Sequence, residues 1–176
     1  ETALLSNRSP AVQRRCVVKR RRLEFVWEGL DLPNEPGAVD VRADVSLDAG
    51  ESASAWRIRV TNRSRRFGLW ETAYPLLNGV VPPGVGDVLL PHGNWGGRLM
   101  RQHRGRFDAP YPSARCPLQM MAFQLGEAGL YLAAHDGAAT AKRLSVSAAQ
   151  DAAFHTLAEQ AGVPGAEGAP AYPVVV

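Results

Sequence analysis

The stretch AVDVRADVSLD sets Val39, Val41, Ala43, Val45 and Leu47 in alternation with Asp40, Arg42, Asp44 and Ser46. A period of two marks a strand with one buried face, because successive side chains of an extended chain point to opposite sides. After the turn residues DAGES the parity returns in AWRIRVTN, with Trp56, Ile58 and Val60 on one face and Arg57, Arg59 and Thr61 on the other. Two such runs joined by a short polar turn predict antiparallel neighbours.

The rest of the chain extends the pattern. CVVKRRRLEFVWEG offers two short strands, and FGLWETAYPLL, LQMMAFQLG, GLYLAAHDG and KRLSVSA each read as extended segments punctuated by Gly, Pro and Asp. LQMMAFQLGEAGLYLAAHD is apolar at both parities, which predicts strands covered on both faces. Many short strands with turn signals define an all-β chain, an antiparallel β-sandwich. With 176 residues, 45% of them hydrophobic, one domain is expected: the sandwich over residues 1–164, then a Gly/Pro-rich linker and strand over 165–176 leading to a further domain. The start at Glu1 and the apolar run YPVVV at the end fit a segment of a longer protein.

One segment resists. SAAQDAAFHTLAEQAG places Phe154, Leu157, Ala158 and Ala161 at helical spacing, with Ser147 and Gln150 set like a capping box and Gly162 like a stop. Local propensity therefore predicts a helix over 149–161.

The net charge of +3 comes from 20 Lys and Arg against 17 Asp and Glu, and six of the bases fall within residues 14–22. The basic balance is local, which argues against a broad nucleic-acid face, and RRCVVKRRR has no interleaved aromatics for base stacking. It reads as a solvated or partner-facing strand. No run approaches the ~20 apolar residues of a membrane span, and no secretion signal opens the chain. Neither nucleic acid nor membrane is expected as a partner, and the compartment is left open. Cys16 and Cys116 read as buried free thiols rather than a disulfide.

Two loops carry groups suited to recognition. LLPHGNWGGRLM sets His92, Asn94 and Trp95 among Gly93, Gly96 and Gly97. A flat indole, two hydrogen-bonding side chains and glycines that admit close approach are what holding a sugar ring requires; the alternative is that Trp95 plugs the core beneath a tight corner. In AAHDG, His135 and Asp136 close an apolar strand, where they serve either as ligand or acid/base groups or, for Asp136, as the cap of the turn before Gly137. Glu71 and Tyr74 in LWETAYP read as structural, the carboxylate facing outward or paired with Arg65 or Arg66. There is no phosphate loop, no metal-spaced Cys/His cluster and no nucleophile elbow, so no catalytic residues, cofactor or metal are assigned.

The serial order WRIRVTNRS, YPLLNGV, DVLLPHGNWGG, YPSARCPLQMMAFQ, GLYLAAHDGAATAKRL and YPVVV resembles, over residues 38–176, the N-terminal β-super-sandwich region of a bacterial family of glycoside hydrolases of largely unassigned activity. That resemblance implies a galactose mutarotase-like sandwich in front of a (β/α)8 barrel of the same chain that carries the catalytic carboxylates. It also implies strand rather than helix at 154–158 and makes His92, Asn94 and Trp95 candidates for a wall of the carbohydrate site; His135 and Asp136, at a motif typical of the family, join them as carbohydrate-contact candidates on the residue reading alone. A second reading makes the sandwich a mutarotase or epimerase in its own right, with His92 or His135 as acid and Glu71 or Asp136 as base. A third makes it an interaction module without a sugar role.

Overall fold

The computed structural model describes residues 2–47, 50, 52–82, 84–93, 96–157, 162–166 and 174–176, which hold thirteen β-strands and no helix. The fold is all-β, an antiparallel β-sandwich and not a closed barrel. The chain forms two compact units, Glu1–Thr72 with Ala158–Pro170, and Ala73–Leu157 with Ala171–Val176.

The first unit is an antiparallel meander of β1 (Ala11–Lys19), β2 (Arg22–Leu32), β3 (Glu35–Leu47) and β4 (Ser54–Asn62), in that spatial order. The expected pairing of β3 with β4 is present, with Val41 opposite Val60, Ala43 opposite Ile58 and Val45 opposite Trp56. On the other face Asp44 meets Arg57, while Arg42 lies opposite Arg59, a like-charged pair that Glu28 relieves at 3.7 Å from Arg42. Leu30, Leu32, Ala38, Val39 and Val60 form the core, with Trp27, Val41, Phe67 and Leu69 packed against it.

A bulge between Trp27 and Leu30 breaks the β2–β3 ladder. Gly29 takes φ +68° there, and a Cβ on it would lie 2.6 Å from Val12 Cγ2. Its freed N–H is donated to Asp40 Oδ1 at 2.8 Å. Arg63 grips the same carboxylate with both guanidinium nitrogens, at 2.6 and 2.9 Å. That guanidinium holds the Asp40 carboxyl below its ordinary range, against the opposing effect of burial.

Most of β1 is exposed, as the basic run predicts, and Cys16 is exposed with it. Only Cys116 is a buried thiol, so the expectation of two buried thiols holds for one: Cys16 lies exposed on β1, the outermost strand of its sheet among the described residues.

The second unit contains β5 (Glu71–Leu77), β6 (Asp87–Leu90), β7 (Arg98–Met100), β8 (Phe107–Tyr111), β9 (Met120–Leu125), β10 (Ala128–Ala134), β11 (Lys142–Val146), β12 (Ala152–Leu157) and β13 (Val174–Val175). One layer has the order β13-β10-β9-β6-β7 and the other β5-β12-β11-β8. Val88, Leu90, Met121, Phe123 and Leu132 of the first layer and Phe107, Leu144, Val146, Ala152 and Phe154 of the second are buried. Each large apolar side chain among them contributes about 1.5–3 kcal/mol. Double coverage of β9 and β10 is confined to Leu132, Ala133 and Ala134; earlier in the hairpin Leu125 and Tyr131 are exposed. The apolar run there over-predicted burial.

Within the disputed segment, strand replaces the predicted helix over Ala152–Leu157, and residues 158–161 lie outside the described residues. β12 covers Ala152–Leu157 and pairs with β11, Leu144 opposite Phe154. Ser147 and Gln150 build a turn instead of a capping box. Ser147 Oγ accepts N–H groups from Ala149 and Asp151, both at 3.1 Å, and Gln150 adopts φ +61°. Ala152, Ala153 and Phe154 are buried in succession, so this strand shows no period of two. Ala158 lies outside the described residues.

Candidate functional site

Ala122 of β9 lies opposite both Leu89 of β6 and Tyr131 of β10. Since each is antiparallel to β9, β6 and β10 run in the same direction and finish at one end of the sheet, two strand spacings or about 10 Å apart. Ala134 N–H donates to Gln119 O at 2.9 Å, which fixes the start of β9 beside the end of β10. His92 follows β6 and His135 follows β10, so the two loops singled out from sequence emerge at one end of the same layer. His135 is exposed. His92 is half-buried, its ring tilted 47° against Phe107 with centroids 6.2 Å apart. Asn94 and Trp95 lie outside the described residues. Gly93 and Gly96 have φ of +88° and +116° with open space where a Cβ would stand. Backbone conformation, not close approach, is thus what calls for glycine there.

Asp136 is buried, and its carboxylate is fully engaged. Oδ1 accepts the Ala138 N–H at 2.9 Å, the turn-capping role weighed from sequence. Oδ2 accepts the Thr140 N–H at 2.6 Å and the Lys142 ammonium at 2.9 Å. Lys142 gives its other protons to Gln119 Oε1 at 2.8 Å and to the Thr140 carbonyl, and stands 4.6 Å above the Tyr111 ring. Gln119 Nε2 closes the circuit by donating to the Asp136 carbonyl at 2.9 Å. Burial pushes the Asp136 carboxyl up, but Lys142, Thr140 and Ala138 outweigh it and hold it below the ordinary range. Burial draws the Lys142 ammonium below its usual value, with Asp136 opposing. The neighbouring Cys116 thiol is pushed up to about 11 by burial, against the pull of the Lys142 charge.

All three ammonium protons and both carboxylate oxygens are therefore committed inside the protein. Such a node is unsuited to take a proton from a substrate; what it does is clamp the turn that presents His135. Sequence reading passed over Lys142, although its parity with Leu144 and Val146 places it on the inward face of β11. That parity was the available signal.

A second polar group lies on β8, β11 and β12. Asp108 Oδ2 accepts from Arg143 at 2.7 Å, Arg143 Nη2 lies 3.1 Å from His155 Nδ1, and His155 Nε2 lies 2.8 Å from Ser145 Oγ. A guanidinium only donates, so Nδ1 is the acceptor and the proton sits on Nε2, directed at Ser145. His155 is thereby barred from acting as base toward that hydroxyl, and the serine is no activated nucleophile. Glu71 is exposed at the first position of β5.

The class that fold and site define is an antiparallel β-sandwich whose His92 and His135 loops leave one end of the same layer. No family model matches the chain. It is similar to "Putative glycoside hydrolase 22789" of Monosiga brevicollis, with 35% identity over 163 residues. The match covers 86% of this chain and 13% of that relative, so the chain spans a small part of the relative's length. The relative's source is a eukaryote, which lends no support to the expected bacterial origin.

Proposed function

We propose that the chain is an accessory β-sandwich domain of a glycoside hydrolase, similar to galactose mutarotase in fold and supporting a catalytic (β/α)8 barrel carried elsewhere in the same protein. Residues 1–164 form the sandwich and 165–176 the link onward. Hydrolysis falls to two carboxylates of the barrel, one acting as general acid and the other as nucleophile or base. This domain lines the carbohydrate site with His92, Asn94, Trp95 and His135, while Asp136 sets the turn beneath His135.

The observation that carries the reading is the similarity to 13% of a much longer protein bearing a glycoside hydrolase name. The common end of β6 and β10 supports the sugar-facing role, because it gathers both loops on one rigid frame. The engagement of Asp136 with Lys142 weighs against Asp136 as the base of a sandwich enzyme acting alone.

Two measurements test this. Reading the transcript beyond Val176 is expected to reveal alternating strand and helix units, and an immediate stop codon would sink the accessory role. Titration with neutral oligosaccharides is expected to give a saturable change in tryptophan fluorescence that Trp95→Ala abolishes and His135→Ala weakens; silence toward every glycan removes the sugar contact.

A further inference from the structure

Among the described residues β1 is the outermost strand of its sheet, with no strand on its second side, so alternate N–H and C=O groups along that edge face away from β2. Its two faces differ. On one, Arg14, Cys16 and Val18 lie opposite Trp27, Phe25 and Leu23, where Phe25 and Trp27 stack at 6.1 Å. Val12 and Val18 on that face are 84% and 74% exposed. On the other, Gln13, Arg15, Val17 and Lys19 lie opposite Glu28, Val26, Glu24 and Arg22. Arg15 reaches Glu28 only at 3.9 Å and Lys19 reaches Glu24 only at 3.6 Å, well beyond the ~2.8 Å of a charge-assisted hydrogen bond.

Bases on an edge strand are a common defence against unwanted pairing, and they oppose self-association: a second β1 laid alongside would bring Arg14 and Arg15 against their own kind. They do not account for two exposed, β-branched valines on the face that also carries the Phe25–Trp27 stack. We infer that β1 is a docking edge for an extended acidic segment of another protein, which adds as a further strand with apolar residues over Val12 and Val18 and carboxylates over Arg15 and Lys19. This inference is independent of the carbohydrate reading.

Fluorescence anisotropy of a labelled nonapeptide alternating Val and Glu tests it on the intact chain. Saturable binding is expected, weakened about tenfold or more by Arg15→Glu with Lys19→Glu, and recovered by a peptide carrying Lys for Glu. N-methylating the amides along one edge of the peptide abolishes binding, whereas methylating the opposite edge leaves it intact, because a terminal strand pairs on one side only. The inference falls if no binding saturates, if both methylated peptides behave alike, if a block sequence of the same composition binds equally, or if single-stranded DNA of equal charge competes as well. Circular dichroism of the charge-reversed variant separates lost docking from lost folding.

Discussion

The Lys142 ammonium stands 2.9 Å from the Asp136 carboxylate with side-chain exposures of 0% and 4%. Removing one member leaves the other charge buried alone, so Lys142→Met is expected to cost about 3–5 kcal/mol in urea unfolding. Adding Asp136→Asn to Lys142→Met should recover part of that loss, since the amide still caps the turn and carries no charge. A single-variant loss under about 1 kcal/mol would show that the pair does not hold the turn.

Stability should fall on the acid side. Asp136 and Asp40 both titrate below their ordinary carboxylate values in the folded chain. A depressed folded pKa gives stability that is present above the unfolded pKa of about 4 and disappears as pH drops through the folded value. Urea midpoints measured from pH 7 down to pH 2 are expected to decline, less steeply in Asp136→Asn. Asp40→Asn should flatten the curve less, because its partner Arg63 is half exposed and screened.

The two thiols should separate by alkylation. Cys16 is exposed, whereas Cys116 is buried with a pKa of about 11. Near neutral pH iodoacetamide should label Cys16 in the native chain and Cys116 only after denaturation, as read by peptide mass spectrometry. Native labelling of Cys116 would mean that its loop opens readily.

Glycine substitutions divide by what surrounds them. A Cβ on Gly68 would lie 2.0 Å from the backbone carbon of Gly162, whereas one on Gly126, at φ +60°, would meet nothing within 4 Å. Gly126→Ala should therefore cost only the left-handed conformation, about 1–2 kcal/mol. Gly68→Ala should cost more, through displacement of the segment bridged at Pro164, and thermal unfolding of the two variants gives the order.

His155 should be a neutral Nε2–H tautomer, a state that nitrogen chemical shifts report directly. Arg143→Leu removes the donor that enforces it and should let the tautomers mix.

The sequence was most legible where one face alone is buried. The alternation of β3 and β4 predicted both strands and their pairing, since each apolar residue had one side to occupy. It misled at β12, where consecutive buried residues erase the period of two and local propensity favours a helix; there the resemblance supplied the strand. The loops of His92 and His135 were visible as clusters of polar residues and glycine, but that they leave the same sheet end depends on the β6–β9–β10 register, a long-range property. Lys142 escaped because a lysine among apolar residues reads as solvent-facing until its partners are known, Asp136 across the turn and Gln119 in the loop before β9.

β11 also carries a safeguard against misalignment. If the strand slid by a single residue between β8 and β12, Lys142 would swing toward water, Asp136 would lose its ammonium partner, and the inward place would go to Ala141 or to the bulkier guanidinium of Arg143. An apolar strand could tolerate such a slip by exchanging one greasy side chain for another. One ionic key among the valines and leucines makes the wrong alignment untenable and so proofreads the assembly of the layer.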